Sequence, residues 1–135
     1  MPITKGYRTL LAEANAKIRT LSLDEAKAKL GDPNVVFVDL RDPRELDREG
    51  MIPGALHATR GMLEFWVDPE SPYYREIFGS GKEFVLYCQS GWRSALATAT
   101  LQDMGLAPVS HLEGGYRAWK DSGGRWVERP VKTKA

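Results

Sequence analysis

The apolar positions change period repeatedly along the chain, and each change marks an element. Leu11, Ala14 and Ile18 form one stripe with Leu10 beside it, and Glu13, Asn15 and Lys17 fall between them, which predicts a helix over Leu10 to Ile18. Thr20-Leu21 reads as a very short strand. Ser22-Leu23-Asp24-Glu25 has the spacing of a capping box and opens a helix over Leu23 to Leu30, stopped by Gly31-Asp32-Pro33. Val35-Val36-Phe37-Val38 is a continuous apolar run, as in a strand buried on both faces. Polar residues from Asp39 to Asp42 end it, and Asp42 caps a short helix with Pro43 at its first position. Gly50 to Gly54 is a turn, and Ala55-Leu56 a short strand. Pro69, Pro72 and several aromatics predict short helical turns and irregular structure over Gly61 to Phe78. Glu83 to Tyr87 is a buried strand that ends at Cys88, and Ser94 to Leu101 continue as a helix to about Met104, ended by Gly105. Pro108 to Leu112 gives a last strand. Gly114-Gly115 opens a final helix, Tyr116 to Lys120, which Gly123-Gly124 ends. Trp119 and Trp126 are expected to cover the sheet, while Trp66, Tyr73 and Tyr74 either pack or rim a pocket.

Strand and helix thus alternate, which predicts an α/β domain with a central, mostly parallel sheet and helices on both faces. Such sheets bind ligands outside the carboxyl ends of their strands. Asp39, Arg41 and Cys88 all fall at carboxyl ends and are expected to share one mouth.

Composition narrows the function. The 135 residues suit a single core, and with 42% hydrophobic and 27% charged residues the chain is ordinary for a globular protein. A net charge of +1, with both signs interspersed, gives no reason to expect nucleic acid or a membrane surface as a partner. One cysteine excludes an internal disulfide framework and a multi-cysteine zinc site, and with two histidines a histidine-rich metal site is poorly supplied. No metal and no cofactor are expected. His57 and His111 read as surface or hydrogen-bonded structural residues rather than catalysts. The chain shows no apolar run of signal or membrane-spanning length, which makes a reducing cytoplasm the expected location.

A lone cysteine after an apolar strand is by default an inert core residue. The residues that follow Cys88 change that reading. A thiol at a strand-to-helix turn faces the free N–H groups and the positive end of the helix, which favour a thiolate and bind anions. Gln89, Ser90 and Gly91 are small or polar, and Gly91 permits the backbone angles of an anion-binding nest. Arg93 adds a fixed positive charge.

The run Cys88-Gln89-Ser90-Gly91-Trp92-Arg93-Ser94 resembles the active-site loop of single-domain members of the rhodanese (sulfurtransferase) family. Val38 to Glu45 resembles the family's Asp-Val-Arg motif with its following acidic residue. Gly50-Met51-Ile52-Pro53-Gly54-Ala55 is similar to its Gly-His-Ile-Pro-Gly-Ala motif, with Met51 in place of histidine. Leu112 to Trp119 is similar to its Leu-x-Gly-Gly-aromatic-x-x-Trp motif. The resemblance implies a rhodanese-like three-layer domain over 21–128, preceded by a helical extension over 1–20 and followed by a tail over 129–135.

It also implies a reaction: transfer of a sulfane sulfur from a small donor such as thiosulfate, through a Cys88 persulfide, to cyanide or a thiol. Gln89, Ser90, Gly91, Trp92, Arg93 and Ser94 then bind substrate, with Asp39 and Arg41 in support. Arg41 is expected to act mainly as the partner of Asp39 or Glu45. Bulky Trp92 would wall the pocket. Two alternatives remain open, a persulfide carrier serving a protein partner and a non-enzymatic binding module. A cysteine phosphatase uses similar physics, but its loop is one residue longer than the four residues separating Cys88 from Arg93.

Overall fold

The structure is a computed structural model, and it describes residues 2–130. Five strands form one sheet in the order β1-β5-β4-β2-β3, and every neighbouring pair is parallel. The strands are β1 (Arg19–Leu21), β2 (Val35–Asp39), β3 (Leu56–His57), β4 (Glu83–Tyr87) and β5 (Val109–Leu112). The helices are α1 (Tyr7–Lys17), α2 (Leu23–Lys29), α3 (Pro43–Glu49), α4 (Leu63–Val67), α5 (Trp92–Asp103) and α6 (Gly115–Asp121). The α/β architecture with a parallel sheet, expected from the alternation of elements, is borne out.

The strand pattern explains the layers. Successive side chains of a strand point to opposite faces. Val38, Phe84 and Leu86 therefore pack on one side with Leu63 of α4 and with Ala97 and Leu101 of α5. Phe37, Val85 and Tyr87 pack on the other with Ala26 of α2 and with Tyr116 and Trp119 of α6. Strand segments buried on both faces are apolar in their interior, as Val35 to Val38 of β2 and Phe84 to Tyr87 of β4 are.

Local signals set the helix ends. The capping box at Ser22 is present, with Glu25 N–H donating to Ser22 Oγ and Ser22 N–H to Glu25 Oε1. Asp42 and Glu45 form a second one at the start of α3, with Pro43 in the first turn. Helix α1 lies against α5 through a small-residue contact of Ala14 with Ala95 and Ala99. Lys17 pairs with Asp103, at 2.7 Å.

Several boundaries move. Helix α1 begins at Tyr7 rather than Leu10, and α5 begins at Trp92 rather than Ser94 because Gly91, with φ +98°, serves as its N-cap. Strand β3 falls on Leu56–His57, one residue later than expected. The irregular stretch holds the 3-10 turns Arg60–Met62 and Glu76–Gly79 around α4. Trp119 is fully buried against Phe37, as expected of a residue covering the sheet, but Trp126 is exposed and has the Lys120 ammonium over its ring. The tail expected over 129–135 lies outside the described residues from 131 onward.

One contact anchors the sheet's carboxyl edge. The N–H groups of Tyr116 and Arg117 donate to the carbonyls of Cys88, at 2.8 Å, and Gln89, at 3.1 Å. The first residue of α6, Gly115, has φ +68°, and a Cβ there would sit 2.6 Å from both carbonyl oxygens. Only glycine allows both that backbone angle and that approach. Gly115→Ala is expected to cost about 2 kcal/mol or more, seen as a lower urea midpoint. An unchanged midpoint would show that the approach is not tight.

Candidate active site

The expected mouth forms where β2 and β4 end side by side. Asp39 pairs in register with Tyr87, which places Arg41 next to the loop that follows Cys88. Cys88 is fully buried. Its sulfur accepts hydrogen bonds from the N–H groups of Gly91, at 3.2 Å, and Ser94, at 3.4 Å. The thiol also lies 3.5 Å from Ser94 Oγ. The left-handed Gly91 turns the chain into α5 so that these amides face the sulfur rather than solvent. Negative charge on sulfur therefore meets donors already in place.

Arg93, expected to offer a positive charge, is held by a carboxylate. Its two terminal nitrogens donate to Glu45 Oε1 at 2.8 Å and Oε2 at 3.0 Å. Glu45 Oε1 also accepts from the N–H of Asp42, so the residue that completes the α3 capping box orients the arginine. The Arg93 hydrogen bonds hold the Glu45 carboxyl below its ordinary range. Glu45 in turn, together with the nearby Cys88, raises Arg93.

Arg41 and Asp39 are both buried completely. Arg41 donates to Asp39 through Nε and Nη2, to the carbonyl of Gly50 at 2.7 Å, and to Gln89 Oε1 at 3.2 Å. Its guanidinium also lies 4.1 Å from the centre of the Tyr116 ring. Burial works against its charge, but the hydrogen bonds and the charge of Asp39 outweigh that and raise it. Gln89 completes the network by donating to Glu49 Oε1 at 3.1 Å.

The structure thus brings together Cys88, Gln89, Gly91, Arg93, Ser94, Asp39 and Arg41. Ser90 lies exposed on the loop. The Trp92 ring is exposed and lies on Tyr7 of α1, with ring centres 5.0 Å apart.

Sequence reading left three side chains out of the site, and it offered Glu45 to Arg41, which pairs with Asp39 instead. Glu45 clamps Arg93, and its signal was the Asp42-x-x-Glu45 spacing. Glu49 holds Gln89. His111 is buried on β5, and its Nδ1 lies 3.0 Å from Ser94 Oγ. Nothing in the local sequence of a short strand shows that its histidine points at a helix on the same face. His57 is half-buried and donates from Nε2 to the carbonyl of Arg41.

Among the described residues, no cluster of histidine, cysteine and carboxylate side chains is suited to hold a metal. A cavity of about 550 Å³ is lined by Pro33, Val35, Leu56, Arg75 and Ile77 and touches none of residues 88–94.

Burial pushes His111 down to about 4. In the unfolded chain the same imidazole titrates near 6.5, so between these values the unfolded state binds the extra proton. Stability is then full above about 6.5 and falls toward pH 4, by roughly 3 kcal/mol. His111→Asn is expected to flatten this part of the urea-stability profile. An identical slope in the variant would contradict the assignment.

Comparisons with known proteins agree with this geometry. A family model described as a Rhodanese-like domain matches residues 22–122. A sulfurtransferase of Allochromatium vinosum is 33% identical over 107 residues, which span 78% of this chain and 92% of the relative. Among solved structures, a Rhodopseudomonas palustris protein, described as of unknown function and a possible tyrosine phosphatase, is 55% identical with a TM-score of 0.91. That match covers 94% of this chain and 98% of the other. A rhodanese-like domain protein of Staphylococcus aureus is 26% identical with a TM-score of 0.65, over 82% of this chain and 99% of the other.

Proposed function

The chain belongs to the rhodanese-like domain family, and on that premise we propose that it is a sulfurtransferase working through a persulfide on Cys88. The observation that carries this reading is the aim of the Gly91 and Ser94 amides at the sulfur. In the first half-reaction the Cys88 thiolate attacks the sulfane sulfur of a donor such as thiosulfate. A new S–S bond forms, the donor's S–S bond breaks, and sulfite leaves with the bonding electron pair. In the second, cyanide or a thiolate attacks the outer sulfur, and the Cys88 thiolate leaves with the pair. This is ping-pong covalent catalysis.

Each charged species in that scheme is an anion, and the loop answers with fixed donors and dipoles. Arg93 stays within reach of the sulfur while Glu45 holds its orientation. Asp39 and Arg41 support the loop from below through Gln89. With one cysteine in the chain, the persulfide is discharged to an outside acceptor, which is a small thiol or a protein partner. The setting that suits such a thiol is the reducing cytoplasm. No described helix is long and apolar enough to cross a membrane.

A second reading, phosphoryl transfer, has one observation in its favour: the description of the Rhodopseudomonas relative as a possible tyrosine phosphatase. Loop length weighs against it. Four residues separate Cys88 from Arg93, one fewer than phosphatase loops use to enclose a phosphate.

Cys88→Ser is expected to abolish thiocyanate formation from thiosulfate and cyanide while leaving the unfolding free energy from urea titration within about 1 kcal/mol of the parent. The parent protein is expected not to hydrolyse an aryl phosphate. Sulfur transfer retained in Cys88→Ser, or steady phosphate release by the parent, would reverse the ranking.

A further inference from the structure

A thiol with no exposure cannot hand its proton directly to water, and Cys88 is buried completely. A line of polar groups leads away from it. Cys88 Sγ lies 3.5 Å from Ser94 Oγ, Ser94 Oγ lies 3.0 Å from His111 Nδ1, and His111 Nε2 lies 3.1 Å from Thr20 Oγ1. Ser94 and His111 are buried, whereas Thr20 on the edge strand β1 is exposed. The line therefore joins the sulfur to solvent through the sheet.

Each of these groups both donates and accepts, so the line has two directions. With Cys88 as a thiol, S–H donates to Ser94, Ser94 donates to His111 Nδ1, and His111 Nε2–H donates to Thr20. With Cys88 as a thiolate, all three bonds reverse. The geometry points to His111 as a positioning residue whose Nδ1–H turns the Ser94 hydroxyl into a third hydrogen-bond donor to the ionised Cys88 sulfur. The reversal balances. The thiol proton passes to Ser94, the Ser94 proton to Nδ1, the Nε2 proton to Thr20, and the Thr20 proton to solvent water or hydroxide. Cys88 loses one proton net, and the imidazole is neutral before and after. The burial that pushes His111 down to about 4 keeps it so.

The other charged groups near the sulfur are Arg93 on α5, Glu45 on α3 acting through Arg93, and the Asp39–Arg41 pair at the end of β2. None of these bonds Ser94 Oγ or His111. The inference rests on the reading of Cys88 as a thiolate nucleophile, and it names the device that supplies the thiolate.

The test is the rate of iodoacetamide alkylation of Cys88 from pH 5.5 to 9, followed by mass spectrometry of the intact protein. Ser94→Ala and His111→Phe are each expected to move the profile to higher pH, with about tenfold slower alkylation on its acidic limb. The double variant is expected to be no slower than either single one, because His111 acts only through Ser94. His111→Asn, whose amide still donates to Ser94, is expected to recover most of the rate. Thr20→Val, at an exposed position, is expected to show a smaller shift in the same direction, which keeps the test open if His111→Phe fails to fold.

An unchanged profile in His111→Phe, or in Thr20→Val should that protein not fold, overturns the inference. So do losses that multiply in the double variant, or His111→Asn behaving like His111→Phe. Alkylation needs no sulfur donor. A parent protein that alkylates as expected but forms no persulfide would therefore sink the sulfurtransferase reading alone.

Discussion

A guanidinium sealed from solvent has to satisfy its donors inside the protein, and Arg41 does so by tying together the segments that surround Cys88. Its bonds reach Asp39 at the end of β2, the carbonyl of Gly50 after α3, and Gln89 in the cysteine loop. Its flat face rests on Tyr116 of α6. A buried ion pair contributes little net stability, because desolvation offsets most of the attraction, but removing one partner strands a charge and costs about 3–5 kcal/mol. Such a pair is better understood as a fixed point. It sets where β2 ends relative to β4, and so where the loop begins.

From that point the cradle follows with few free choices. Gly115 lets α6 press against the carbonyls of Cys88 and Gln89, which fixes the backbone on one side. Gly91 reverses the chain on the other and starts α5 with its amides facing the sulfur. Glu45 serves as a capping residue for α3 and as the carboxylate that orients Arg93. The site is therefore assembled from elements whose own folding requirements deliver its parts. A thiolate or persulfide in it gains from donors that need not reorganise.

Much of this was legible in the residues. The parallel sheet could be read from runs such as Val35 to Val38, because a strand buried on both faces has no polar side to show. The cysteine loop could be read from Cys88, Gly91 and Arg93, since a turn before a helix fixes backbone chemistry locally. Asp39 as the partner of Arg41 was also within reach, two residues apart at a strand end. What stayed hidden depends on register. Whether Arg93 meets Glu45 or open solvent is decided by how α3 packs beside α5. The meeting of His111 with Ser94 depends on β5 lying next to β4, which no local pattern encodes. Trp126 misled because a tryptophan just after the Gly123-Gly124 turn is as compatible with a surface ring beside Lys120 as with a sheet cover.

Formation of a persulfide at Cys88 is the central claim, and mass spectrometry of the Cys88 peptide after incubation with thiosulfate tests it most directly. The account predicts a mass gain of one sulfur on that peptide, with sulfite released in equal amount and the added sulfur removed by cyanide as thiocyanate. An unmodified peptide under those conditions, in a protein whose Cys88 instead becomes phosphorylated by an aryl phosphate, would contradict it.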